Sequence, residues 1–279
     1  MKITMLGTGH AMVTEYYNTC YALQNTDEPA ASTSQGAPDQ VFLVDAGGGS
    51  LILHQLKHAG INVSQIHDIF VTHKHIDHMT GVIWMARAIT SGMKRGRYEG
   101  EARVYAHPDL CRIMETICRE VLDPREAAAI GEGFKFVAVE DGEVRHIIGH
   151  PVTFFDLGKA CKVRQFGMSM ELEDGRRITA LGDETCHPEG EKYLQDSYLA
   201  LHEAFCLDAE EEKYHPYQIG HSTVKTACEL AESHNVKNLV LYHTEDGHGA
   251  DRKRLYLEEG KRYFSGGLYV PDDLESFEI

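Results

Sequence analysis

The chain has 279 residues, of which 42% are hydrophobic and 25% are charged, a balance typical of a globular protein with a sizeable core. Its formal net charge of −16 disfavours the basic surface that proteins binding nucleic acids usually carry. No apolar run approaches the length of a membrane-spanning helix, so we expect no membrane partner.

Seven cysteines are scattered along the chain without paired spacing. An odd, scattered set argues against a disulfide framework and indicates a reducing compartment. The first residues also lack an apolar segment followed by a small-residue cleavage site. We therefore expect a cytoplasmic location.

Strand-like and helix-like segments alternate along the chain. Apolar, strand-like runs predict strands at 2–7, 20–24, 41–44, 66–71, 103–106, 178–181, 198–201 and 238–242. Apolar residues at helical spacing predict helices at 51–59, 80–91, 109–121, 222–234 and 251–264. The segment 24–40 is rich in Ser, Thr, Ala, Pro and Gly, which predicts a hairpin loop, and several further strands are expected within 134–174. This alternation predicts a layered α/β fold, with sheets inside and helices outside, in a single domain over 1–279.

The segment His73-Lys74-His75-Ile76-Asp77-His78 follows directly on a predicted apolar strand. His73 and His75 are two residues apart, so an extended backbone points both side chains to the same face. Asp77 and His78 lie on the turn that enters the next helix and can face the same space. Four possible ligands within six residues are more than one structural zinc with a closed set of ligands would take from such a segment. They suit two adjacent metals that activate water and stabilise a leaving oxygen. A solvated histidine-rich loop is the alternative interpretation.

This cluster and other segments resemble one family in both content and order. HKHIDH resembles the H-x-H-x-D-H signature of metallo-β-lactamase-fold hydrolases. Other segments in the family's order are MLGTG near the start, FLVDAGGG at 42–49, LGDE at 181–184, LHEA at 201–204, GHST at 220–223 and LYHT at 241–244. The late segments most resemble the ribonuclease Z-like branch. The resemblance implies an αββα sandwich, in which two facing sheets carry helices on both outer sides.

The same resemblance implies a dinuclear metal centre built from histidine and aspartate side chains. The ligands that it implies are His73, His75, Asp77, His78, Asp183 and His243. Of these, His73 and His75 would bind the first metal, Asp183 would bridge the two metals, and the others would bind the second. Asp45 is implied to orient the ligand loop through hydrogen bonds. Zinc is the expected metal, with manganese and iron as alternatives for such ligands.

His221 and Glu203 are implied to supply the acid of the reaction. The imidazole of His221 would protonate the leaving oxygen, and the carboxylate of Glu203 would orient the ring. Taken alone, His221 could simply precede a helix whose N-cap is Ser222 or Thr223, and Asp183 could be a turn residue after a strand. Their positions in the ordered set of motifs favour the functional interpretation.

The chain departs from the family pattern at one ligand position. Counting back from Phe166-Gly167, Cys161 stands where the family has another histidine on the first metal. A thiolate is a competent zinc ligand, so we expect Cys161 to complete the first site. A buried thiol beside an incomplete first site is the alternative, and His146 and His150 are less favoured replacements.

These features together predict a metal-dependent phosphodiesterase that acts on a small phosphodiester. A hydroxide held between the two metals would attack phosphorus while the departing alkoxide receives a proton, with Asp77, His221 and Glu203 as the catalytic candidates. A large RNA substrate is disfavoured by the net charge of −16 and by the lack of the Gly-rich, basic arm of ribonuclease Z enzymes that process transfer RNA. Because similar proteins are often dimers, a homodimer is one expected state.

Two rival functions fit the same ligand set. One is hydrolysis of a thioester, lactone or lactam on the same fold, and the other is a degenerate metal-binding or sensing module with an incomplete first site. A poor alkoxide leaving group benefits most from a dedicated acid, so the segments around Glu203 and His221 favour phosphodiester chemistry. His10 follows the Gly7-Thr8-Gly9 turn and could reach the metal site or the substrate, although a polar loop residue is the favoured interpretation. His248 is interpreted as a surface loop residue.

Overall fold

A computed structural model describes residues 1–26, 40–158 and 161–279 of the chain. The predicted hairpin loop at 24–40 therefore lies largely outside the described residues. Within the part of the chain that is described, no helix is both long enough and apolar enough to cross a membrane.

The first sheet contains seven strands from the described residues. They are β1 (Lys2–Gly7), β2 (Cys20–Gln24), β3 (Val41–Val44), β4 (Ile66–Phe70), β5 (Ala102–Ala106), β6 (Phe134–Ala138) and β14 (Ser276–Glu278). Their order across the sheet is β14-β1-β2-β3-β4-β5-β6. The pairs from β14 to β3 are antiparallel, and those from β3 to β6 are parallel. The first three strands have the bounds that the sequence predicts.

The second sheet also contains seven strands from the described residues. They are β7 (Glu143–Ile147), β8 (His150–Asp156), β9 (Phe166–Glu171), β10 (Arg177–Ala180), β11 (Leu199–Glu203), β12 (Asn238–Tyr242) and β13 (Gly267–Tyr269). Their order is β13-β12-β11-β10-β9-β8-β7. The half from β7 to β10 is antiparallel and the half from β10 to β13 is parallel.

Helices pack on the outer face of each sheet. The first sheet is covered by α1 (Leu51–His58), α2 (Ile76–Lys94), α3 (Pro108–Val121) and α4 (Pro124–Ala127). The second sheet is covered by α5 (Pro188–Leu194), α8 (Val224–Ser233) and α9 (Arg252–Gly260). Two short helices, α6 (Glu211–Tyr214) and α7 (Pro216–Ile219), lie between β11 and α8.

The two sheets face one another across a shared apolar core. In β3, Phe42 and Val44 point into the layer between the sheets, whereas Val41 and Leu43 point out toward the helices. This is the two-residue alternation of a strand buried on both faces. Similar alternation in other strands makes three apolar layers, and the predicted αββα sandwich is confirmed.

The start of α2 differs from the sequence prediction, which places a helix at 80–91. The helix begins at Ile76 after the N-cap residue His75, so Asp77 lies in its first turn. An aspartate is favourable there because the amino terminus of a helix carries a partial positive charge. The prediction that Asp77 and His78 lie on a turn before the helix is therefore wrong, although both still face the space beyond β4.

A close backbone contact fixes α2 against the turn after β3. The N–H of Gly81 donates to the carbonyl oxygen of Gly47 over 2.9 Å. A Cβ atom added at Gly81 would lie 1.8 Å from the carbonyl oxygen of Ala46. Only glycine permits this approach, which holds the start of α2 close to the turn that follows Asp45.

A fully buried arginine ties together the loops that follow β1 and β12. The guanidinium of Arg252 donates to the hydroxyl of Thr244 over 2.8 Å and to that of Thr8 over 3.3 Å. It also donates to the Pro271 carbonyl oxygen over 2.6 Å and pairs with Asp272 at 2.8 Å. One side chain thus satisfies acceptors from three segments.

We expect Arg252→Met to lower the free energy of unfolding by about 2–4 kcal/mol, because several buried acceptors lose their donor. The matched control is Arg254→Met on the same helix. Arg254 is 55% exposed, and its pairs with Asp251 and Glu258 lie at the surface. Its removal should cost much less than that of Arg252, because exposed ion pairs contribute little to stability. Urea unfolding measures both values, and equal losses would contradict the assigned role of Arg252.

Candidate functional site

Four imidazoles converge on one carboxylate oxygen at the edge where the strands of both sheets end. The Oδ2 atom of Asp183, which follows β10, lies 3.3 Å from Nε2 of His73, 3.3 Å from Nε2 of His78 and 3.5 Å from Nε2 of His243. Nδ1 of His75 lies 3.9 Å away from the same oxygen. The histidines at 73–78 follow β4 of the first sheet, whereas Asp183 and His243 follow β10 and β12 of the second. The cluster therefore joins the two halves of the sandwich.

The same side chains form two possible ligand groups that share Asp183. One group is His73, His75 and Asp183, and the other is Asp77, His78, Asp183 and His243. Within each group, the ligand atoms lie within 4.8 Å of one another. The structure thus brings together every predicted metal ligand except Cys161.

The donor set fits two divalent cations. The Nε2 atoms of His73 and His78 and the Oδ1 atom of Asp183 are buried and have no hydrogen-bond partner among the described residues. Buried polar atoms are normally paired, so unpaired ones that face a common centre indicate a ligand. Imidazole and carboxylate are the ligands that zinc, manganese and iron take in proteins.

The electrostatics of the cluster also suit cations. Burial lowers the pKa values of His73 and His243, which favours the neutral imidazole that can bind a cation. Burial opposes protonation of His78, but Asp45, Asp77 and Asp183 outweigh it and raise its pKa. The carboxylates that attract a proton to His78 would attract a divalent cation in the same way.

Each buried imidazole ligand is oriented through its other ring nitrogen. Nδ1 of His78 contacts the Asp45 carboxylate at 2.7 Å, and that carboxylate also accepts from the Thr72 N–H at 2.9 Å. The Thr72 hydroxyl lies 3.0 Å from Nδ1 of His73, and the Thr19 hydroxyl lies 2.8 Å from Nδ1 of His243. These contacts direct the Nε2 atoms toward Asp183.

Two of these site residues have a left-handed backbone. Asp45 has φ 55° and His243 has φ 56°, values that are uncommon outside glycine. Each follows directly on a buried strand, β3 or β12, and turns its side chain toward the cluster. Such strain concentrates at functional sites, where the surrounding packing enforces it.

Glu203 and His221 face one another beside the cluster. Oε2 of Glu203 lies 3.7 Å from Nδ1 of His221, and neither atom has a hydrogen-bond partner among the described residues. The other carboxylate oxygen accepts from the N–H of Ser222. The His221 ring stacks on Phe205 with centroids 4.9 Å apart. A small movement would close the pair into a hydrogen bond.

A cavity of about 560 Å³ opens onto both the cluster and this pair. Its lining includes Asp183, His221 and Lys74, together with His10. The structure thus favours the alternative for His10, that it reaches the site, over the favoured interpretation as a polar loop residue. The His10 ring packs 4.5 Å from that of Phe205.

Cys161 does not lie with the imidazoles of the first ligand group. The structure places its sulfur in a separate group with Glu184 and His187. The carboxylate oxygens of Glu184 already accept hydrogen bonds from Lys162 N at 2.9 Å, Val163 N at 3.2 Å and a glutamine side chain at 2.9 Å. Burial raises the pKa of the Cys161 thiol to about 12, which keeps it protonated. The structure therefore gives no support to the expectation that Cys161 completes the first site, and that expectation is still untested.

The sequence reasoning also omits the groups that support the ligands. Thr72 directly precedes His73, and this position in the sequence is a signal that Thr72 contacts the ligands. Thr19 has no such signal, because only the packing of β2 brings it beside His243. His107 follows β5, and its buried Nε2 atom lacks a hydrogen-bond partner among the described residues.

Comparisons with known proteins agree with this geometry. A family model described as Anti-Pycsar protein Apyc1 matches residues 1–263. A ribonuclease Z of Bacillus mycoides is 25% identical, and the alignment covers 100% of this chain and 99% of the relative. The metallo-β-lactamase-fold protein YhfI of Bacillus subtilis superposes with a TM-score of 0.76 at 17% identity, covering 100% of this chain and 99% of YhfI.

The human short form of tRNase Z superposes with a TM-score of 0.70 at 21% identity, over 100% of this chain and 99% of that protein. These likenesses confirm the metallo-β-lactamase fold and the resemblance to the ribonuclease Z-like branch.

We expect Cys161→Ala to keep the metal content of the unmodified protein, because the structure places the thiol outside the first ligand group. His73→Ala is the reference for a lost ligand and should bind fewer ions per chain. Elemental analysis of zinc-loaded, desalted protein measures the ratio. A metal content of Cys161→Ala as low as that of His73→Ala would show that the thiol is a ligand.

Proposed function

The chain belongs to the family described as Anti-Pycsar protein Apyc1, and from this premise we propose that it is a metal-dependent phosphodiesterase acting on a small phosphodiester. Its fold and its His/Asp cluster are those of a metallo-β-lactamase-fold hydrolase. The observation that carries the proposal is that Asp183 and His221 line one cavity, with Glu203 behind the imidazole.

His73, His75 and Asp183 would hold one divalent cation, and Asp77, His78, His243 and the shared Asp183 would hold the other. Bound there, two such ions, zinc by expectation, would activate water and neutralise charge that develops on the phosphoryl oxygens. Three protein ligands and an open position are the usual complement of a catalytic zinc. The first group therefore needs no further ligand from Cys161 to be competent, which weakens the case for a degenerate sensing module.

His221 is proposed to hold the proton that the leaving oxygen takes. Burial raises the pKa of Glu203 and lowers that of His221. The facing carboxylate and imidazole can therefore share one proton. The stack on Phe205 fixes the imidazole plane. His221 also lines the cavity, so its ring is within reach of a bound substrate.

The dimensions and charge of the site support a small substrate. A cavity of about 560 Å³ is the size of a small-molecule pocket. Three exposed apolar side chains contribute to its lining: Met12, Ile76 and Ile219. Lys74 is the basic side chain on that lining, so an anionic substrate would depend on it and on the cations. The net charge of −16 disfavours a long polyanion.

Hydrolysis of a thioester, lactone or lactam remains the alternative on this fold. A thiolate leaves without much help from an acid, whereas an alkoxide leaves poorly unless it is protonated. The buried Glu203 and His221 pair is therefore an argument for the phosphodiester. Paired assays with a bis-aryl phosphodiester and an aryl thioester separate these classes.

We expect His221→Ala to reduce kcat by about 10²–10⁴-fold on a dinucleoside monophosphate, whose alkoxide leaving group needs the acid. On bis(4-nitrophenyl) phosphate the loss should be about tenfold or less, because nitrophenolate leaves without a proton. Steady-state rates on both substrates give the ratio, and the exposed His54→Ala serves as control. Equal losses on both substrates would contradict an acid role for His221.

We expect Glu203→Gln to move the basic limb of the kcat profile on the dinucleoside monophosphate to lower pH by about one unit. The acid must be protonated, so activity is present below the pKa of His221 and is lost as pH rises through it. The amide of the variant cannot share that proton with the imidazole, so the ring loses it at lower pH. A uniform loss at every pH, without a shift of the limb, would show that Glu203 acts only in packing.

A further inference from the structure

Outside the catalytic cavity, three side chains from two loops converge on a common point. Glu210 ends a short 3₁₀ helix after β11, whereas Glu245 and His248 lie in the loop after β12. Nε2 of His248 lies 2.8 Å from Oε2 of Glu210 and 3.8 Å from Oε1 of Glu245. All three ligand atoms lie within 4.8 Å of one another. The sequence interpretation of His248 as a surface loop residue gave no hint of this group.

One of these carboxylate oxygens is buried without a partner. The side chain of Glu245 is 5% exposed, and its Oε1 atom has no hydrogen-bond donor in the described part of the chain. Its other oxygen accepts from the Tyr214 hydroxyl and from the N–H of Gly247, both at 2.7 Å. These two contacts fix the carboxylate plane and leave Oε1 pointing at His248 and Glu210.

The imidazole cannot satisfy both carboxylates. Nε2 carries at most one proton, and at 2.8 Å that proton belongs to Glu210. The nearest lysine does not fill the gap, because Nζ of Lys213 lies 3.6 Å from the other oxygen of Glu210, and Lys213 is 61% exposed. Leaving a buried carboxylate oxygen unpaired is unfavourable, so the geometry calls for a cation at the common point.

We propose that Glu210, Glu245 and His248 form an additional binding site for a divalent transition-metal ion such as zinc. Zinc bonds of about 2.0–2.2 Å to one nitrogen and two oxygens place such ligand atoms about 3.4 Å apart. The separations of 2.8 and 3.8 Å between Nε2 of His248 and the two carboxylates bracket that value. Two carboxylates and one imidazole also match the ligand preference of zinc, manganese and iron.

The position of this site suggests that the ion supports the catalytic cavity without taking part in the reaction. Tyr214, which binds Glu245, packs on Phe205 with ring centroids 6.0 Å apart. Phe205 is the ring on which His221 stacks. Glu245 also follows His243 by two residues. An ion held here would join the 208–214 segment to the loop that carries His243 and so restrain both.

The test compares metal content among variants of the full chain. Apoprotein prepared with a chelator is reloaded with zinc, desalted and analysed for zinc per chain. The His248→Ala and Glu245→Gln variants should each contain one zinc fewer than the unmodified protein. Glu245→Gln is nearly isosteric and can still accept from Tyr214 and Gly247, so it keeps the loop intact if His248→Ala unfolds.

Two further variants separate this site from the others. His187→Ala removes the imidazole of the Cys161, Glu184 and His187 group and should keep the full zinc content. Asp183→Asn disrupts the catalytic cluster but should retain one zinc, which His248→Ala then removes. In that Asp183→Asn background, added zinc should raise the Tm, and His248→Ala should abolish the rise.

These readouts do not depend on phosphodiesterase activity, so failure of the proposed function leaves them unchanged. Equal zinc content in the unmodified protein, His248→Ala and Glu245→Gln would overturn the site and leave a salt-bridged histidine. Loss of one zinc in His187→Ala, but not in His248→Ala, would also overturn it, because the additional ion would then lie at the other group.

Discussion

The buried carboxylate of Asp183 is the group on which the rest of the site depends. Its Oδ2 atom faces imidazole nitrogens from His73, His78 and His243 at 3.3–3.5 Å. A carboxylate is costly to bury without compensation, and this one is 2% exposed. Although burial acts to raise it, His73 and His78 hold the pKa of Asp183 well below its usual range. A buried, ionised carboxylate therefore requires positive charge close to it.

The fold meets that requirement by bringing two sheets to one edge. The segment after β4 contributes its histidines from the first sheet, and Asp183 and His243 come from the second. Gly81 allows α2 to approach the turn at Asp45, and Arg252 ties the loops after β1 and β12. The His/Asp cluster is thus also a junction between the halves of the sandwich, and cations bound there would cross-link them.

The sequence predicts the fold and most of the His/Asp cluster, because the residues of the cluster lie at the ends of recognisable strands. Alternation and ordered motifs give the strands, the sandwich and the histidines. They do not give Thr19, which reaches His243 only through the packing of β2, nor the separation of Cys161 from the first ligand group. Counting residues along a chain cannot tell which side of a loop faces the site. Glu210 and His248 are 38 residues apart, so their contact depends on tertiary structure alone.

Anomalous diffraction from crystals of the zinc-loaded protein, collected on both sides of the zinc absorption edge, tests the central claim most directly. At the Asp183 carboxylate, two anomalous peaks about 3.5–4 Å apart are expected, besides the separate peak expected at Glu210, Glu245 and His248. The first should lie beside His73 and His75, and the second beside His78 and His243. A single peak beside Asp183, or none, would contradict a dinuclear centre and the phosphodiesterase mechanism built on it.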